Sequence, residues 1–125
     1  MKKIISTSNA PAAIGPYSQA VEAGGLIFIS GQLPLDPATG AMAPSEIKAQ
    51  TEAVIKNLEG ILKAQSLTLE NIIKTTVFMA DLGQFAQMNE VYGRFFSVNP
   101  PARATIEVKA LPKAALVEIE AVAAR

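Results

Sequence analysis

Residues 99–122, NPPARATIEVKALPKAALVEIEAV, constrain the fold more than any other stretch of the chain. Pro100 and Pro101 end whatever precedes them, because proline donates no N–H and biases its predecessor away from the helical region. A run with strand alternation begins at once. Alternation puts Arg103, Thr105, Glu107 and Lys109 on one side and Ala104, Ile106 and Val108 on the other. The second run repeats the pattern, with Leu116, Glu118, Glu120 and Val122 opposite Val117, Ile119, Ala121 and Ala123. Leu111-Pro112-Lys113 between them suits a turn. Two short, stiff elements therefore carry one guanidinium and several carboxylates, and chemistry is expected there.

Upstream, Ile4-Ile5 begins a short strand, and Pro11, Gly15 and Pro16 break residues 6–16 into loop. Tyr17 to Glu22 alternates, Gly24-Gly25 supplies a turn, and LIFIS at 26–30 reads as a second hairpin strand buried on both faces and ended by Gly31. A long loop over 32–44 follows, with Pro34, Pro37, Gly40 and Pro44. The spacing of Ile47, Thr51, Val54, Ile55, Leu58, Ile61 and Leu62 predicts a helix from Ser45, as its cap, to about Gln65. IIKTTVFMA at 72–80 is a strand rich in β-branched and aromatic side chains. Asp81 and Gln84 suit a cap and its partner for a second helix, whose buried stripe is Phe85, Met88, Val91, Tyr92, Phe95 and Phe96. The order β-β-α-β-α-β-β predicts an α+β fold of two layers, a mixed sheet with both helices on one face. We expect residues 1–125 to form a single domain.

Half of the residues are apolar and 18% are charged, which together with the Val, Ile and Ala on the sheet's second face points to self-association. Eleven basic and eleven acidic side chains cancel, so no global field favours nucleic acid. With neither cysteine nor histidine, the chain lacks Ser/His and Cys/His nucleophilic systems and the usual zinc and copper ligands. No stretch approaches the roughly 20 apolar residues of a membrane span, and the N-terminus lacks a signal-peptide core, so no membrane role and a cytoplasmic location are expected.

Taken singly, the candidate site residues are ambiguous. Arg103 reads either as one end of a surface ion pair with Glu107, Glu118 or Glu120, or as a planar fork for a carboxylate or phosphate. Glu118 reads as an outward-facing strand residue or as a carboxylate that orients or deprotonates a water. Tyr17 suits packing, Ser30-Gly31 a strand end, and Asn89 an exposed helix position.

Their arrangement in sequence is more specific. Pro101-Ala102-Arg103, a β run, Leu111, a short spacer and Val117-Glu118-Ile119 resemble the signature of the Rid family, the reactive intermediate deaminases also called the YjgF family. Residues 14–20 (IGPYSQA), 28–32 (FISGQ) and 88–92 (MNEVY) resemble further motifs of that family in the same order. The resemblance spans essentially the whole chain. It implies a chorismate-mutase-like fold, a homotrimer with sites in the clefts between subunits, and hydrolysis of 2-imino acids such as 2-iminobutanoate and 2-iminopropanoate to 2-oxo acids and ammonia, with no cofactor or metal. It also implies roles: Arg103 grips the substrate carboxylate, Glu118 holds the attacking water, Tyr17 lines the pocket, and Ser30, Gly31 and Asn89 shape its wall. Where many members have cysteine, this chain has Thr105, whose backbone N–H can still donate to a carboxylate. Two alternatives accompany this reading: a non-catalytic trimer that captures small carboxylates or 2-oxo acids, and the RNA cleavage attributed to some relatives.

Overall fold

The computed structural model describes residues 1–125. Its elements are β1 (Lys3–Ile5), β2 (Ala20–Ala23), β3 (Leu26–Gln32), α1 (Ile47–Lys63), β4 (Ile72–Met79), α2 (Phe85–Phe95), β5 (Ala102–Glu107) and β6 (Val117–Ala124). The six strands make one mixed sheet in the order β1-β2-β3-β6-β4-β5, with β4–β5 the parallel pair. A parallel pair needs a crossover, and α2 supplies it. Two helices against one mixed sheet is the α+β architecture the pattern predicts.

Both helices cover the same face. The α1 stripe is buried throughout, with Val54, Ile55, Leu58, Ile61 and Leu62 fully enclosed. Val117, Ile119, Ala121 and Ala123 of β6 meet it, so the alternation of that strand is as read from sequence. From α2 come Met88, Tyr92 and, just beyond its end, Phe96.

Five local expectations are corrected. Glu46, not Ser45, caps α1: its carboxylate accepts from Lys48 N and Ala49 N, and these bonds hold its pKa below the ordinary range. Asp81 caps a single 3₁₀ turn, Leu82–Gln84, and α2 begins only at Phe85 with Gln84 making no reciprocal side-chain bond. Strand β3 is buried on one face only: Ile27 and Ile29 lie under the helices, while Phe28 is 47% exposed on the other side, which nothing in the chain covers. Gly31 lies inside β3, where the pairing with β6 slips between Ile29 and Gln32. Finally, the Leu111-Pro112-Lys113 turn does not join neighbouring strands, because β4 lies between β5 and β6.

Candidate active site

The sheet register decides which candidate side chains can meet. On β4, Thr75 pairs with Arg103 on one side and Ala121 on the other, while Phe78 pairs with Ile106 and Glu118. Residues paired across a sheet project to the same face. Thr75 and Ala121 are buried under the helices, so Arg103 projects to the helix side, at the outer edge. Glu118 and Ile106 project to the open face. One chain therefore presents its candidate residues as two groups on opposite faces, with β4 between them.

The first group sits on the edge strand β5 and on α2. Arg103 Nη1 donates to Asn89 Oδ1 at 2.7 Å, and the guanidinium stacks 4.7 Å from the Tyr92 ring centroid and 5.5 Å from that of Phe85. None of the carboxylates weighed from the sequence pairs with it. Glu107 Oε1 instead accepts from Leu82 N at 2.9 Å. Thr105 shares the Arg103 face, and its Oγ1 is buried without a hydrogen-bond partner, the one such side-chain atom in the chain.

The second group lines a cleft of about 610 Å³ that includes Tyr17, Ser30, Gly31, Lys113, Glu118 and Glu120. Tyr17 is held there by a tight turn at Gly15, whose φ is +114°, and its hydroxyl accepts from Ile14 N at 3.2 Å. Ser30 Oγ donates to Ser18 O at 2.6 Å, so its proton is already committed to the backbone. Gly31 leaves room for Glu118. A Cβ there would fall 2.9 Å from Glu118 Cδ and 3.2 Å from Cγ and would overlap the carboxylate oxygen. Partial burial, and secondarily the charge of Glu120 two residues on, raises the Glu118 pKa above its ordinary 4.5. Lys113 and Ala114, both at positive φ in the turn before β6, bring the one cation to this cleft.

Gly31→Ala tests this contact. The clash involves the far end of a flexible side chain, so the carboxylate turns away while the strand stays. We expect turnover to fall while the denaturant midpoint changes by under about 1 kcal/mol equivalent, the range of ordinary strand Gly/Ala changes; parallel kinetics and urea melts check it.

The sequence reading put these residues in one pocket; within a single chain Tyr17, Ser30, Gly31 and Glu118 share a cleft, while Arg103, Thr105 and Asn89 lie apart on the other face. That reading missed Phe85 and Tyr92, whose spacing with Asn89 (i, i+4, i+7) marks one face of α2 and was absorbed into the core stripe.

Comparison with known proteins places this geometry in context. A family model described as Endoribonuclease L-PSP matches residues 7–125. A mouse protein named 2-iminobutanoate/2-iminopropanoate deaminase is 48% identical over 123 residues, covering 98% of this chain and 91% of that one. Among solved structures, a Yersinia pestis protein of unknown function from the conserved Rid family, YyfA, superposes with a TM-score of 0.97 at 44% identity over the whole of both chains. Escherichia coli TdcF with bound serine superposes with a TM-score of 0.93 at 44% identity over 98% of each. A match over nearly the full length, in sequence and in fold, shows that the chain belongs to the Endoribonuclease L-PSP family, which is the Rid (YjgF) family its motifs resemble.

Proposed function

We propose that this protein, as one Rid-type domain assembled into a homotrimer, hydrolyses 2-imino acids to 2-oxo acids and ammonia at sites between subunits. The observation that carries the reading is the pair of groups on opposite faces. An arginine without a carboxylate partner and a glutamate with raised proton affinity fit one small substrate, and the register keeps them from meeting within a chain. An uncovered sheet face, with Ile4, Phe28 and Ile106 exposed, is where neighbouring chains would pack.

In this reading Arg103 of one protomer holds the substrate carboxylate through a charge-assisted, two-pronged contact, with Asn89 and Thr105 beside it. Glu118 of the next protomer takes a proton as water oxygen bonds to the carbon of the N-protonated imine. The C=N π pair moves to nitrogen, giving a tetrahedral amino alcohol. Collapse forms the C=O bond as the C–N bond breaks: Glu118 returns its proton to nitrogen, which leaves as ammonia, and the carboxylate so freed takes up the hydroxyl proton. The iminium carbon is already electrophilic, so the site's work is to position the water and stabilise charge. Tyr17, Ser30 and Gly31 line the wall behind the water.

RNA cleavage ranks lower. Net charge is zero, and four of the eleven basic side chains, Lys48, Lys56, Arg94 and Arg125, are paired with carboxylates, which weakens the field available to a phosphate backbone. The deciding assay generates the enamine of 2-aminobutenoate freshly in situ and follows 2-oxobutanoate release. Acceleration over buffer is expected. Carboxylate binding with no acceleration would leave a capture protein instead.

A further inference from the structure

The chain has three arginines, and only two have carboxylate partners: Arg94 pairs with Glu90 and Arg125 with Glu22. Arg103 is surrounded by neutral groups instead. Its guanidinium rests against Tyr92 and Phe85, and its one hydrogen-bond acceptor is the amide oxygen of Asn89. The nearby carboxylates are turned elsewhere. Glu90, adjacent to Asn89 on α2, pairs with Lys48 and Arg94, and Glu107, on the same face of β5, caps the turn at Leu82. The platform is itself fixed: the Tyr92 hydroxyl and Thr75 Oγ1 lie 2.7 Å apart in the core, and Thr75 is the register partner of Arg103. Burial raises the Tyr92 pKa, so that phenol stays uncharged at neutral pH.

We infer that Tyr92, Phe85 and Asn89 form a charge-free cradle that fixes the Arg103 fork while leaving its charge unspent, so that an incoming carboxylate meets a pre-aimed and uncompensated cation. Tyr92, Phe85 and Asn89 are then positioning residues, and the uncharged character of residue 89 is the property that matters. An aspartate there has the same shape and accepts the same hydrogen bond. It also supplies an internal counter-ion that any substrate carboxylate must displace. This rests on the deaminase reading only for the kinetic half of its test.

The test compares Asn89→Asp, Asn89→Ala, Phe85→Leu, Tyr92→Phe and wild type in two measurements: calorimetric titration with 2-oxobutanoate, and KM and kcat for freshly generated 2-iminobutanoate. The cradle predicts that Asn89→Asp weakens 2-oxobutanoate binding and raises KM by at least ~10-fold with kcat little changed, and that it does more harm than Asn89→Ala, which removes the acceptor without adding charge. Phe85→Leu, at a half-exposed position that tolerates substitution, raises KM a few-fold, and Tyr92→Phe, which keeps the ring but frees it from Thr75, raises KM by less than Asn89→Asp does. If Asn89 merely shapes the wall or accepts a hydrogen bond, Asp is the milder change and Ala the more damaging one; that order overturns the inference. Wild-type protein that fails to bind 2-oxobutanoate overturns it as well. Wild type that binds the oxo acid with the predicted ranking of variants, yet turns over no imine, sustains the cradle while removing the deaminase reading.

Discussion

Arg103→Ala and Glu118→Gln chains, each nearly inactive as pure proteins, are expected to regain about a quarter of wild-type turnover when unfolded and refolded together in equal amounts. In the proposed mechanism, removing Arg103 deletes a charge-assisted contact worth about 1.5–3 kcal/mol, a loss of at least ~10-fold in kcat/KM. Removing the Glu118 carboxylate deletes the proton acceptor of that mechanism. If each site draws Arg103 from one chain and Glu118 from another, random assortment leaves about one site in four with both groups intact. A site contained within one chain would carry a lesion in every copy, and no mixture would recover. Mixing the two variants without unfolding them is the control. The expectation rests on the proposed assembly and on the register, in which Thr75 and Phe78 on β4 send their partners Arg103 and Glu118 to opposite faces.

Glu118→Gln by itself should lower kcat by about 10²-fold or more, the usual contribution of a general base, with little change in KM. It should also make the protein more stable at neutral pH. Burial and Glu120 raise the pKa of the folded-state carboxyl above 4.5, so the folded chain holds this proton to higher pH than the unfolded one. The protonated side chain contributes fully at low pH, and that contribution fades as pH rises from about 4.5 through the raised value. Glutamine keeps the neutral form at every pH. The melting temperature of the variant should therefore exceed that of wild type by a margin that widens between pH 4.5 and pH 7.5, as read by calorimetry. The same titration requires wild-type kcat to climb over that interval. A constant margin, or a variant less stable at pH 7.5, would remove the raised proton affinity of Glu118 from the account.

Much of this was legible from sequence where a period governs. The α1 stripe from Ile47 to Leu62 follows helical spacing closely enough that every expected position is buried. The β6 alternation sorts Val117 and Ile119 from Glu118 and Glu120 correctly. What escaped depends on contacts distant in sequence. Nothing in 99–122 says that β4 will insert between the two terminal runs, so Arg103 and Glu118 looked closer than they are. Phe28 looked buried because an apolar run reports the wish to be covered, not which chain does the covering. Tyr92 looked like core because it is core on one side and a platform for Arg103 on the other. Gly31 was legible as a strand end and, within FISGQ, as part of a pocket wall; that Glu118 lies across it depends on the pairing of β3 with β6.

The sheet order has a further consequence for biosynthesis. Of the six strands, the one made last, β6, lies between β3 and β4 and hydrogen-bonds to both. Until it emerges, the β1-β2-β3 meander and the β4-α2-β5 unit are two unjoined half-sheets with open edges. Closure must await residues 117–124, which places the decisive pairing late and over long sequence separation, the slow regime for folding. A nascent chain stalled before that strand would expose exactly the two edges most prone to pair with the wrong neighbour.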